Sequence, residues 1–217
     1  MRVCCETKRS PEGAPVRYRR LAISAVAAGL CGMIVAAPAS AWVLTLTPAP
    51  RQLFLMVGVG TPGASNPIVN TVSASVPAAI LGNGTPLSMT SDSTQAASPV
   101  DGFPVCNPPA QVYIGGAYRQ PNAAAGPAVA QLQVTTPANL TSGADTIAFT
   151  QISWTSTANG NPTADLPAGT FNGATLSLAK IARNTFVENC YAYTYANSVL
   201  APAGTYSGRA VFTLTLP

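Results

Sequence analysis

The 217-residue chain contains no histidine, and only 8% of its residues are charged. Without imidazole there is no Ser-His-Asp or Cys-His constellation and no His-ligated metal centre. The few charges are also unevenly placed. Six of the eleven Lys and Arg (Arg2, Lys8, Arg9, Arg17, Arg19, Arg20) and two of the seven acids (Glu6, Glu12) precede residue 21, leaving five cations and five acids for the rest. A nucleic-acid partner needs a basic patch on the folded part, and five scattered cations against five acids do not predict one. No GxSxG, P-loop or EF-hand loop occurs, so neither an enzyme nor a cofactor or metal site is expected.

What is present begins with a leader. Leu21 to Ala37 is an uncharged apolar run directly behind Arg17, Arg19 and Arg20, and Ala39-Ser40-Ala41 follows it. A basic segment, an apolar stretch and a small-x-small site form the secretory signal-peptide pattern, with cleavage expected near Ala41. The run's seventeen residues sit at the bottom of the membrane-spanning range, so no retained membrane anchor is expected. Arg19-Arg20 is a weak twin-arginine signal, and Leu30 is too large for Cys31 to serve as a lipoprotein cysteine. The expected organisation is a signal peptide over 1–41 and a single exported domain over 42–217, in the periplasm, at the cell surface or secreted.

Cys4, Cys5 and Cys31 lie in the leader, which leaves Cys106 and Cys190 for the exported domain. Two cysteines in an oxidising compartment predict one disulfide. The dominant periodicity is two. Candidate strands are 42–47, 53–57, 68–76, 111–118, 129–135, 146–150, 152–155, 174–181, 190–196 and 205–216. Each is rich in Val, Ile, Thr or aromatics and bounded by Gly, Pro, Asn or Asp. No segment reads as a three-turn amphipathic helix. About ten short strands separated by turn signals predict an all-β, antiparallel β-sandwich.

The C-terminal segment is the sharpest motif. Gly204-Thr205-Tyr206 leads into Ala210 to Leu216, where Phe212, Leu214 and Leu216 fall on one face of a strand and Val211, Thr213 and Thr215 on the other. This ending resembles the C-termini of chaperone–usher pilins and of spore-coat-protein-U-like secreted domains, most specifically over the last fourteen residues. The resemblance implies an immunoglobulin-like, pilin-like sandwich, a periplasmic chaperone, and like subunits joined by strand donation. It also implies Trp42 to Thr47 as a donated segment and Phe212, Leu214 and Leu216 as an assembly strand. A cysteine pair at 106 and 190 departs from the N-terminal staple of that family, and a complete sandwich needing no donor fits the same sequence.

Other candidate sites are sparse. Tyr191, Tyr193 and Tyr195 alternate along one strand face. Such a row either forms a platform for a glycan ligand or packs against the second sheet, so a carbohydrate-binding module is the alternative function. The five acids Asp92, Asp101, Asp145, Asp165 and Glu188 suggest no catalytic pair. Asp165 and Glu188, the latter near Arg183, are expected to be solvated or ion-paired. Asn159-Gly160-Asn161 with Asp165 offers too little charge for calcium, and Trp154 is expected in the core. Asn139-Leu140-Thr141 is a formal glycosylation sequon. The reading that best accommodates these features is a non-catalytic structural or adhesive protein of the cell surface, pilin- or coat-like.

Overall fold

The computed structural model describes residues 44–61, 68–121, 126–157 and 163–217; the segment expected as a signal peptide and residues 62–67, 122–125 and 158–162 lie outside them. In chain order the first seven strands are β1 (Leu44–Thr45), β2 (Gln52–Val57), β3 (Val72–Ser73), β4 (Leu87–Ser88), β5 (Thr90–Ser91), β6 (Val112–Arg119) and β7 (Val129–Thr135). They are followed by β8 (Asn139–Ser142), β9 (Asp145–Ala148), β10 (Ile152–Ser156), β11 (Gly169–Thr170), β12 (Thr175–Ala182), β13 (Thr185–Tyr195) and β14 (Val211–Thr215). Two single-turn 3-10 segments, Ala78–Ile80 and Phe149–Gln151, are the only helical elements among the described residues. The chain is all-β, and every strand pairing is antiparallel.

β13 organises the larger sheet. Its first half pairs with β6 and its second half with β10, while β2 lies beyond β6 and β11 beyond β10. β1 joins at Thr185 and Phe186, and β4 at Thr194 and Tyr195. A second sheet runs β12-β7-β14, with β7 in the middle and β14 on an edge. Both sheets contribute to one apolar core. Val112, Ile114, Trp154, Tyr191, Tyr193 and Tyr195 come from the first, and Leu132, Val134 and Leu178 from the second, with Phe212 and Leu214 packed against them. Period-two alternation accounts for this, because each strand turns one set of side chains inward. Each large apolar side chain so buried contributes roughly 1.5–3 kcal/mol.

Several expected strands occur with nearly the expected bounds, β7 at 129–135 among them. β13 is the main departure, because it starts at Thr185 rather than 190. Its first half contains Glu188 and Asn189, residue types that lower strand propensity, yet Asn189 is fully buried. The Asn189 side chain explains this: its Oδ1 accepts from Leu166 N at 2.8 Å and its Nδ2 donates to Thr157 O. The expected strand over 68–76 shrinks to Val72–Ser73, since Asn70 and Thr71 are engaged by the Asp92 carboxylate instead. The strand expected over 205–216 begins only at Val211, because Ser207 is held in a bridge to Thr141.

Candidate functional site

Three sets of residues come from the sequence as candidates, and the fold treats them differently. The tyrosine row turns inward. Tyr191, Tyr193 and Tyr195 are 1%, 8% and 6% exposed, so no solvent-facing platform exists on that face. Tyr191 stacks on Trp154 at 5.4 Å, and Tyr193 on Phe171 at 6.2 Å. Burial raises the Tyr191 and Tyr193 hydroxyls well above the usual phenol range. Trp154 is itself buried and donates its indole N–H to Pro167 O at 2.9 Å. The row is therefore the aromatic centre of the core.

The opposite face of β13 carries a polar constellation. Cys190 and Glu188 point there, and Cys190 forms a disulfide with Cys106. That bond fastens segment 96–106 over the sheet. The segment is a tight hairpin-like cover: Ala97 bridges Pro104, Ser98 N donates to Phe103 O at 2.7 Å, and Phe103 N donates to Asp101 Oδ1 at 2.9 Å. Beneath it, Glu188 stands opposite Gly115 of β6. The Tyr113 ring lies across Gly115, where a Cβ would come within 2.3 Å of the Tyr113 hydroxyl. This leaves the hydroxyl free to donate to Glu188 Oε2 at 2.6 Å.

Burial raises the Glu188 carboxyl above its ordinary range, against the opposing hydrogen bonds from Tyr113 and Ser98, and the Asp101 charge raises it further. Burial first, and then the Glu188 carboxylate, raise the Tyr113 hydroxyl so far that it stays a donor at any ordinary pH. The expectation of a solvated or Arg183-paired Glu188 is thus corrected. The glutamate is half-buried, and Tyr113 of β6 and Ser98 of the cover segment hydrogen-bond to it. The physical reason is the register, which sets Glu188 against a residue without a side chain. Sequence proximity to Arg183 had no bearing on that.

The other acids stand apart from this pair. The Asp92 carboxyl is held below its ordinary range by hydrogen bonds from the Asn70 side chain and the Thr71 backbone. Burial raises the Asp165 carboxyl, while Asp145 opens β9 at an exposed position. No group of three or more Cys, Asp or Glu suited to a metal occurs among the described residues. Asn159-Gly160-Asn161 falls outside them. Asn139 begins β8 with its side chain exposed.

The third candidate is the last strand. β14 pairs with β7 from Val211 opposite Thr135 to Thr215 opposite Gln131, and it has no strand on its second edge among the described residues. Phe212, Leu214 and Leu216 are half-buried against the core, while Val211 remains 48% exposed. Of the segment expected to be donated, Trp42 and Val43 lie outside the described residues. Leu44 and Thr45 pair with Phe186 and Thr185 of their own chain, and Leu46 N donates to Asn184 O at 2.8 Å.

Sequence reading missed the buried asparagines that hold the loops. Asn197, fully buried with φ 52°, accepts from Gly82 N at 2.9 Å and donates to Ile80 O at 2.8 Å. Asparagine tolerates this left-handed conformation better than most residues, and that preference is the one local signal available. Comparison with family models, curated proteins and solved structures finds no match to this chain.

Proposed function

We propose that the chain is a non-catalytic exported protein of the cell surface, structural or adhesive and pilin- or coat-like, which assembles with like subunits by strand pairing at β14. The observation that carries this reading is that β14 ends its sheet, with no strand hydrogen-bonded beyond it among the described residues. Alternate residues of an antiparallel strand direct their N–H and C=O groups away from the existing partner. Unpaired edges recruit further strands unless charge, proline or a bulge blunts them. Val211 to Thr215 contain no charge and no proline, so the edge is chemically prepared for β-augmentation.

The immunoglobulin-like form of the sandwich belongs to the same proposal, supported by two antiparallel sheets that share a core. Export is supported by the Cys106–Cys190 disulfide, which persists in oxidising compartments. Because Leu44–Thr45 is already paired within the chain, the proposed joint is β14 rather than residues 42–47. A periplasmic chaperone covering Phe212, Leu214 and Leu216 during export would keep the edge from premature pairing.

The test uses Val211→Lys with Thr213→Lys, both at exposed positions of the strand. Light scattering should show oligomers of the parent protein growing with concentration. The double variant should stay monomeric with an unchanged circular dichroism spectrum. A parent protein that remains monomeric at every concentration, or a variant that forms the same oligomers, would overturn the proposal.

A further inference from the structure

We infer that the end of the molecule carrying Arg51, Arg119 and Arg183 is a binding site for phosphate oxyanions. The cations look scattered in sequence, but the topology gathers three of the five outside the leader. Arg51 directly precedes β2, Arg119 closes β6 opposite Gln52, and Arg183 sits in the tight turn between β12 and β13.

Gln120 connects them. Its side chain is fully buried, and its hydrogen-bond network sets the amide so that the oxygen accepts from Arg183 Nη1 at 3.0 Å and Nε at 3.1 Å. The Arg51 guanidinium and the Gln120 amide both abut Gly126, where a Cβ would lie 2.6 Å from Arg51 Nη2. Arg119 uses its Nε to donate to Thr47 O at 2.8 Å.

Backbone contacts hold the frame still. Asn184 N donates to Tyr118 O at 2.7 Å, Gln120 N donates to Asn184 Oδ1 at 2.9 Å, and Arg183 N donates to Ala128 O at 3.0 Å. Tyr118 completes it by donating to Pro127 O at 3.0 Å. Such a frame presents guanidinium groups in set positions, so less entropy is lost when an anion binds.

The acids whose register is known lie elsewhere. Glu188 is opposite Gly115, four residues and about 13 Å along β6 from Arg119 at strand spacing. That exceeds the screening length of about 8 Å at physiological salt. Asp145 pairs with Ser142 in the β8–β9 hairpin, and Asp92 is engaged by Asn70 and Thr71. The Arg183 guanidinium lies on the Gln120 amide, the Arg51 guanidinium lies beside Gly126 next to it, and Arg119 precedes Gln120 in the chain. An oxyanion with several acceptor oxygens takes hydrogen bonds from more than one guanidinium, and the planar donor fork of arginine suits it better than lysine's point charge. The inference is independent of the β14 edge, since it rests on different residues.

The experiment is an NMR titration of the purified protein with inorganic pyrophosphate, accompanied by sedimentation with phosphatidylglycerol or phosphatidylcholine vesicles. Amide shifts should concentrate at residues 119–120 and 183–184. The Arg51→Gln, Arg183→Gln double variant should bind at least about tenfold more weakly. Arg209→Gln removes the same charge just before β14, at the end of that strand opposite Thr215, and should bind like the parent. Arg183→Lys should recover part of the loss if its frame is kept. Capture by phosphatidylglycerol without pyrophosphate shifts assigns the phosphate to a surface headgroup, and the reverse assigns it to a free ligand. Binding to neither probe, or equal losses in the Arg209→Gln and double variants, would overturn the inference.

Discussion

At the scale of single residues, the glutamate beneath the cover segment has the most definite consequence. Its carboxyl is raised above the ordinary 4.5 by burial. The folded state therefore holds the proton more tightly than the unfolded chain. The stability contributed by this group is complete below about pH 4.5 and is lost as pH rises through its folded-state value. Glu188→Gln removes the titration while keeping an acceptor for Tyr113. Urea midpoints of the parent should accordingly fall relative to the variant between about pH 4.5 and neutrality. Curves that run parallel across this window would show that the raised carboxyl has no thermodynamic weight. None of this was legible in sequence, where Glu188 is near Arg183 by number but opposite Gly115 by register. The cysteines were legible for the contrary reason, since only Cys106 and Cys190 lie beyond residue 41.

At the scale of elements, β13 shows what periodicity reads well and what it misses. Its second half was evident from the alternating tyrosines, but which face they occupied was not, because both faces of a strand offer the same spacing. Packing against Trp154 and Phe171 decided the matter. Its first half was hidden because Glu188 and Asn189 resemble loop residues until their cross-strand partners are known. The same strand is tied by Cys190 to the segment ending at Cys106, closing a loop of 84 residues. Chain-entropy arguments assign such a closure roughly 4–5 kcal/mol. Replacing both cysteines with serine should cost stability of that order in denaturant unfolding, with loss of proteolytic protection first in segment 96–106. A loss well under about 1 kcal/mol would mean the cover is held by its hydrogen bonds alone.

For the whole molecule, the overall positive charge of the sequence proves misleading as a guide to surface. It resides in the first twenty residues, while the remaining cations and acids balance. Within that balance the fold segregates what the sequence disperses. Arginines 51, 119 and 183 lie at one end of the larger sheet because the start of β2, the end of β6 and the β12–β13 turn are brought together there, a long-range fact that no local spacing reports. The all-β class was readable from period two and turn chemistry. The split into two sheets, with β14 left on an edge, required pairings across more than seventy residues, as between Val211 and Thr135.

Amide hydrogen exchange on dilute and assembled protein is the sharpest test of the proposed joint between subunits at β14. The edge-facing amides of Val211 to Thr215 should gain protection on assembly, with little change in the central strand β13. Assembly that leaves β14 exchange unaltered, or that protects another edge instead, would rule β14 out as the joint.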